Sequence, residues 1–263
     1  KTANCITKII DKSKKNSQKS ICFITGVPGA GKTLAGLNIA NERANIAKDE
    51  HAVFLSGNGP LVEILREALT RDKIKEAKLF GEKIRKKDEF GRATKFIQNI
   101  HHFRDAERES IKPPVEKVVV FDESQRAWTK EKLSEYMKRK KGIINFNLSE
   151  PHFLIEVMDR HRDWCSIICL IGGGQEINTG EAGLGEWINS LKENFPGWNV
   201  YYSDLIVSNK NYLDNLMLKN WLKENAISEK NLHLAVSVRS FRSEKLSEFV
   251  HELLNRKIEN AKK

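Results

Sequence analysis

The sequence predicts an α/β protein, a three-layer sandwich whose mainly parallel sheet carries helices on both faces. Apolar runs of strand length alternate along the chain with segments of helical periodicity. Continuous apolar runs are typical of strands that are buried on both faces, as the strands of a parallel sheet are. The chain has 263 residues, of which 40% are hydrophobic, so it is long enough to form one large domain.

Each predicted element has a local signal. Gly, Pro and Asn end the apolar runs, and helical spacing of apolar residues resumes after them. The predicted strands span 20–25, 52–55, 115–121, 166–171, 198–202 and 232–236. The predicted helices span 3–14, 32–47, 61–69, 129–140, 151–160, 185–194, 210–224 and 243–254, with an exposed helix and a loop in the charged segment 71–95.

The stretch GVPGAGKT, Gly26 to Thr33, follows the apolar run 21–24 and precedes a helix. In this strand–turn–helix context it predicts a phosphate-binding loop, because glycines let main-chain N–H groups approach an anion at the positive end of a helix. Lys32 is expected to lie between the β- and γ-phosphates of ATP, and Thr33 to bind the accompanying Mg²⁺. The residues expected to contact the nucleotide are Gly26, Val27, Pro28, Gly29, Ala30, Gly31, Lys32, Thr33 and Leu34.

A second motif consists of two acids, Asp122 and Glu123, directly after the apolar run 118–121. The carboxyl ends of parallel strands gather at one edge of a sheet, so both acids are expected beside the phosphate loop. We expect Asp122 to reach the Mg²⁺ shell and Glu123 to polarise a water molecule for attack on the γ-phosphate. An acidic N-cap for the next helix is the alternative for one of the two residues.

From Asp122 to Gln125 the sequence DESQ resembles the DExQ box of superfamily 1 helicases. The longer strings FDESQRAW, SEPHFLIEVMDRHRDW, IGGGQEINTGEAGLGEW and LAVSVRSFRSEKLSEFV are similar to the Schlafen group 3-like helicase domain family. The resemblance covers nearly the whole chain. It implies a RecA-like P-loop NTPase that binds ATP, Mg²⁺ and nucleic acid, which we expect to be single-stranded DNA or RNA.

Three further strings in the sequence resemble motifs of superfamily 1 helicases. Gln175, in the sequence GGGQ, resembles the helicase motif III glutamine that contacts the γ-phosphate, although Gly173 replaces the usual acid. The sequence Ser56-Gly57-Asn58 resembles motif Ia, which touches the backbone of the nucleic-acid strand, and an ordinary loop is the alternative there. Arg239 resembles the motif IV arginine that reaches the γ-phosphate, with Arg242 as its rival.

A complete helicase also has a second RecA-like domain, for which no room follows Arg239. We therefore expect residues 1–263 to be a single motor domain, with a helical N-terminal segment at about 1–19 and a basic insertion at about 71–112. The second motor domain of a longer protein is the expected partner. Alone, this chain is expected to bind the nucleotide and to hydrolyse it poorly.

The formal net charge of +10 is concentrated in two segments. Residues 1–19 contain six lysines and one aspartate, a net charge of +5. Residues 73–95 contain nine Lys or Arg and four acids, again a net charge of +5. Such clusters indicate a polyanionic partner such as nucleic acid, and a solvated basic helix is the alternative.

No apolar run approaches the roughly 20 residues of a membrane helix, and the start of the chain is too polar for a signal peptide, so we expect a cytoplasmic protein. The four cysteines lack metal-ligand spacing, and we expect buried free thiols. His101-His102 and the acids around His161 are weak candidates for a metal site. Of the five tryptophans, Trp128 is the one that we expect to be able to stack on a nucleobase.

Two other function classes stay open. One is a P-loop kinase for a nucleotide or metabolite, which the Glu123 position, Gln125 and Gln175 disfavour. The other is a nucleotide-gated binding module, in which ATP switches partner binding without translocation.

Overall fold

The computed structural model describes residues 1–46, 50–172 and 179–236. The strands are β1 (Lys19–Gly26), β2 (Ala52–Ser56), β3 (Ile97–Asn99), β4 (Val118–Phe121), β5 (Cys165–Gly172), β6 (Asn199–Tyr202), β7 (Ile227–Ser228) and β8 (His233–Leu234). The helices are α1 (Thr2–Lys15), α2 (Lys32–Ile46), α3 (Gly59–Leu79), α4 (Lys86–Phe96), α5 (Ile100–Arg108), α6 (Lys130–Lys141), α7 (Glu150–Asp159), α8 (Gly183–Asn194), α9 (Leu205–Ser208) and α10 (Leu216–Asn225).

These strands form one sheet in the order β3-β2-β4-β5-β1-β6-β7, and β8 pairs with the end of β1. Every pairing among the described strands is parallel. The strands therefore end together at one side of the sheet, the carboxyl edge, and begin at the opposite side, the amino edge. One strand, β5, separates β1 from β4.

Two apolar cores cover the two faces of the sheet, because successive side chains of a strand point to opposite faces. One core joins β1, β2 and β4 to α7 and α8 through Phe23, Leu55, Phe121, Leu154 and Trp187. The other joins the same strands to α1 and α2 through Ile24, Phe54, Val120, Ile10 and Ile39. Helices thus pack on both faces, and the predicted three-layer α/β sandwich is confirmed.

The described chain differs from the prediction in several places. The helix predicted over 210–224 begins later, at Leu216, because Asn215 caps it there by accepting from the Leu218 N–H at 3.1 Å. The helix predicted over 61–69 continues as α3 to Leu79, with no Gly or Pro to stop it. The short elements β3, α5, α9 and β7 have no counterpart in the prediction. The helix predicted over 243–254 lies outside the described residues.

All four cysteines are free thiols; Cys22, Cys165 and Cys169 are buried, and Cys5 is half-buried. Burial raises the pKa of each of these thiols. None of the helices in the described ranges is both long and apolar enough to span a membrane.

Candidate functional site

A glycine-rich turn connects the carboxyl end of β1 to the start of α2. Gly29 and Gly31 have φ angles of 76° and 79°, which strain a residue with a side chain. Gly26 is required for a different reason, because a Cβ atom there would lie 2.9 Å from Cβ of Leu234 on β8. The Val27 N–H donates to the Leu234 carbonyl at 3.1 Å. The predicted phosphate loop is therefore a close-packed turn with β8 against its base.

The Lys32 side chain folds over this turn. Its Nζ atom donates to the carbonyl oxygen of Gly26 at 2.9 Å and lies 3.5 Å from that of Val27. The Ala30 N–H donates to the Val27 carbonyl at 3.1 Å, which closes the turn internally. Leu34, the last predicted contact residue, is 60% exposed on the first turn of α2. The lysine ammonium is thus held against the loop that it is predicted to serve.

Thr33 and Asp122 are 89 residues apart in the chain and hydrogen-bonded in the fold. The Thr33 hydroxyl lies 3.1 and 3.2 Å from the two carboxylate oxygens of Asp122. Asp122 is buried, and this burial together with the neighbouring charge of Glu123 raises its pKa to about 6, against the effect of the Thr33 hydrogen bond. The pair therefore presents hydroxyl and carboxylate oxygens, the hard donors that Mg²⁺ prefers.

Glu123 has a left-handed backbone with a φ angle of 52°, an uncommon conformation for a residue with a side chain. It follows Asp122, the first residue after β4, and the 3₁₀ turn Ser124–Arg126 begins after it. The Gln125 amide donates to the Glu123 carboxylate. The same amide group accepts from the Gly172 N–H at the end of β5, at 3.0 Å. Glu123 is therefore oriented by a side chain that also contacts the neighbouring strand.

A cavity of about 480 Å³ opens at the carboxyl edge beside these acids. It extends from the Thr33–Asp122 pair past the loop after β2 to Trp128. Four of its lining residues are acidic, namely Asp122, Glu123, Glu150 and Glu181. The other lining residues include Ser56, Gly57, Asn58, Leu61, Ile100, His101, Ser124, Arg126 and Trp187. The motif Ia-like loop and the acidic end of β4 thus face one shared space.

The far wall of the cavity contains a buried ion pair. The Arg104 Nη1 atom donates to Glu150 Oε1 at 3.0 Å, and the guanidinium lies 5.2 Å from the Trp128 ring centre. It also donates to Nδ1 of His101 at 3.2 Å. Burial, and next the Arg104 charge, lower the pKa of His101 to about 4. The imidazole is therefore neutral at physiological pH.

Trp128 is enclosed by its neighbours. The His101 ring centre is 4.6 Å away and that of Tyr136 is 5.2 Å away, while the Lys132 ammonium lies 5.0 Å from the indole centre. Each contact reduces the ring surface on which a nucleobase could stack. Trp128 is therefore mainly a packing residue of the cavity wall.

The structure brings Lys32, Thr33, Asp122 and Glu123 to one edge of the sheet. Two other predicted site residues, Gln175 and Arg239, lie outside the described residues, as does the rival Arg242. No signal in the sequence points to Arg104 or Glu150, because they are 46 positions apart and each resembles an ordinary surface residue of an amphipathic helix.

The weak metal candidates have other partners. Asp159 binds Lys19 and Trp198, His161 contacts the Glu116 carbonyl, and Asp163 pairs with Lys117. Across the described residues, no group of three or more His, Cys, Asp and Glu is arranged to hold a metal ion.

Among the solved structures that match the chain, two illustrate a distant similarity. The helicase domain of Pyrococcus furiosus Hef is 16% identical and has a TM-score of 0.39; the match covers 76% of this chain and 39% of that chain. The other is an ATPase domain that is 12% identical and has a TM-score of 0.33; the match covers 74% of this chain and 80% of that chain. Similarity at this level identifies no site residues. No curated protein matches the chain.

The sequence profile of the family "Schlafen group 3, DNA/RNA helicase domain" matches residues 19–263, from the first residue of β1 onward. The match includes both the predicted phosphate loop and the acidic end of β4. It agrees with the parallel sheet and its helical layers, so the predicted RecA-like P-loop fold is confirmed. This is a nucleotide-binding, helicase-like domain, and the chain belongs to the Schlafen group 3 DNA/RNA helicase domain family.

Proposed function

We propose that this chain is the ATP-binding first motor domain of a superfamily 1-like, nucleic-acid-dependent ATPase. The hydrogen bond between Thr33 and Asp122 carries the proposal. It joins the phosphate loop to the acidic end of β4 across an intervening strand, and a nucleotide site needs both segments at one place.

The residues present fit ATP and Mg²⁺. Gly29 and Gly31 have the left-handed backbone in which neighbouring main-chain N–H groups can turn toward phosphate oxygens, and Lys32 supplies a cation beside them. Thr33 and Asp122 would hold the metal ion through oxygen atoms. When bound, Mg²⁺ neutralises negative charge on the β- and γ-phosphates.

Glu123 is the proposed general base. It would accept a proton from the water that attacks the γ-phosphorus, while the bond to the bridging oxygen breaks to give ADP and phosphate. Gln125 orients this carboxylate. The family resemblance supports two further roles, contact of Gln175 with the γ-phosphate and neutralisation of transition-state charge by Arg239.

Isothermal calorimetry of the 263-residue chain with ATP and Mg²⁺ tests nucleotide binding. We expect Lys32→Ala to abolish binding, since the ammonium is the cation of the cradle, while Lys192→Ala, an exposed lysine on α8, retains wild-type affinity. Unchanged affinity in the Lys32→Ala variant would refute the phosphate-loop assignment.

The metal assignment has its own test. In a titration of ATP affinity against Mg²⁺ concentration, Asp122→Asn is expected to need more Mg²⁺ than the wild type, because an amide is a weaker ligand than a carboxylate. An unchanged Mg²⁺ dependence would remove Asp122 from the metal site.

A further inference from the structure

Residues 129–149 form an excursion that leaves the carboxyl edge and returns to the same point. The Glu150 N–H donates to the Trp128 carbonyl at 3.0 Å, and the Trp128 N–H donates to Glu150 Oε2 at 3.0 Å. These two bonds tie the ends of the excursion together. Its helix, α6, therefore stands on the same edge as the phosphate loop and the cavity.

The α6 sequence, KEKLSEYMKRKK, has six cations and two acids, a net charge of +4. Four of the cations are consecutive, from Lys138 to Lys141, in the last turn. Leu133 and Met137 are buried and anchor the helix. The charged side chains therefore face outward from a helix that is fixed to the domain.

Stabilisation of a helix end explains only part of this charge. One or two cations complement the partial negative charge at the carboxyl end of a helix, and Lys141 also pairs with Asp105 at 2.7 Å. Lys138, Arg139 and Lys140 are exposed, and none of them forms an ion pair with any residue in 1–46, 50–172 or 179–236. Three adjacent unpaired cations repel one another, so a polyanion that contacts them relieves this repulsion.

The position of α6 indicates which part of the surface an anionic partner contacts. Lys132 lies over Trp128, which lines the cavity, and Arg139 is two turns further along the same side, at roughly 10 Å. The cavity itself is lined by four acids, which disfavour a phosphodiester backbone that no bound metal ion accompanies. A nucleic-acid strand that crosses the carboxyl edge therefore meets cations along α6 and not inside the cavity.

The basic segment 73–95 lies elsewhere. It forms the end of α3, the turn after it and most of α4. Lys73, Ile84 and Arg92 line a hollow together with His51 and Glu116, which stand just before β2 and β4. The turn that joins α3 to α4 therefore lies at the amino edge of the sheet, opposite the proposed nucleotide site.

We propose that α6 binds the phosphodiester backbone of a nucleic-acid strand through Lys138, Arg139 and Lys140. The nucleic-acid strand crosses the carboxyl edge outside the mouth of this cavity, from α6 toward the loop at Ser56 on its other side. This proposal rests on the proposed function, because it takes nucleic acid as the partner, and it adds the surface that holds the strand.

The test compares two triple variants of the whole chain with equal loss of charge. One is Lys138→Gln/Arg139→Gln/Lys140→Gln. The matched control is Lys83→Gln/Arg85→Gln/Lys87→Gln, at exposed positions on the amino edge that are likewise unpaired within the described ranges. Fluorescence anisotropy measures the binding of labelled oligo(dT) and oligo(U), each about 20 nucleotides long and so longer than one typical binding site, at several salt concentrations. Calorimetry measures ATP affinity in the same samples.

For the α6 variant we expect affinity about tenfold lower at low salt and a log K versus log salt slope flatter by roughly 2, from roughly 0.7 per lost contact. The control variant should keep the wild-type slope with both oligonucleotides. An unchanged slope in the α6 variant, an equal change in the control, or no binding by the wild type each overturns the proposal. Because ATP affinity depends on Lys32, calorimetry shows separately whether the nucleotide assignment stands.

Discussion

Arg104 and Glu150 form an ion pair in which both side chains are almost fully buried, with exposures of 0% and 2%. The pair fixes the start of α7 to α5 and supports Trp128 at the cavity wall. Burial raises the pKa of Glu150, and the Arg104 charge opposes that effect. Two buried charges stabilise each other only while both are present.

We therefore expect Arg104→Met, which leaves Glu150 buried without its partner, to lower the free energy of unfolding by about 3–5 kcal/mol. The double variant Arg104→Met/Glu150→Leu should lose less than the sum of the two single variants. Urea denaturation of the four proteins measures this coupling. Glu109→Gln, at an exposed residue on the neighbouring surface, is the control and should change stability by less than about 1 kcal/mol. Additive losses would show that the two charges do not interact.

Two substitutions at Glu123 distinguish the effect of its left-handed backbone on stability from the effect of losing its carboxylate. Glu123→Gly and Glu123→Ala both remove the carboxylate, but only glycine relieves the positive φ angle. We expect the glycine variant to be more stable than the alanine variant by about 1 kcal/mol, as measured by thermal or urea unfolding. Equal stabilities would mean that the loop rearranges when the carboxylate is lost.

A third variant at this position tests the proposed base. Glu123→Gln should retain ATP affinity in calorimetry and lose ATP turnover, measured in a protein that joins this domain to the proposed second motor domain, because an amide cannot accept the proton. Turnover at the wild-type rate would mean that a group other than Glu123 accepts the proton from the attacking water.

The His101 imidazole makes stability depend on pH. Its native pKa of about 4 lies below the ordinary value of 6.5, so the unfolded chain binds more protons between these two values. Stability should therefore fall as the pH falls from 6.5 toward 4, by less than about 1.4 kcal/mol per pH unit from this group, since the ring is partly exposed.

Urea denaturation at several pH values between the native and the ordinary pKa measures this dependence. His101→Gln should flatten it, and His102→Gln shows the effect of removing an exposed imidazole from the same helix. A pH dependence that is identical in His101→Gln and the wild type would contradict the prediction.

Gly36 allows α2 to pack closely on the sheet. A Cβ atom there would lie 2.5 Å from Leu170 Cδ1 and 2.9 Å from Val120 Cγ1. We expect Gly36→Ala to lower the free energy of unfolding by about 1–3 kcal/mol through overpacking. Gly91→Ala on α4, where nothing lies within 4 Å, should instead stabilise the chain by up to about 1 kcal/mol. The sign of each change in a urea unfolding curve checks the pair, and equal effects would disprove the packing argument.

The sequence predicts the parts of this site that are contiguous in the chain. The phosphate loop and the acids after β4 each form one short string whose residue types have a defined chemistry. The alternation of apolar runs also predicts the parallel sheet. These features depend on local patterns, so a single sequence is enough to recognise them.

The rest depends on distant contacts or on competition between local signals. Nothing in the sequence places β5 between β1 and β4, or brings Arg104 against Glu150. The start of α10 at Leu216 depends on the Asn215 side-chain cap, which outweighs the helical spacing before it. The positive charge of α6 is also easy to miss in the sequence. The residues outside the two basic segments have a net charge of zero, because acids elsewhere balance the cations of α6.

The pair of hydrogen bonds between Trp128 and Glu150 also has an evolutionary consequence. It closes residues 129–149 at their base, so the spacing between the two ends of this segment is fixed by bonds that its middle does not supply. Outside the buried Leu133 and Met137 and the side chains that pack on Trp128, substitutions, insertions and deletions can therefore occur without moving the acids that follow β4. Selection for a new partner and selection on the carboxyl edge of the sheet can then act on separate parts of one domain.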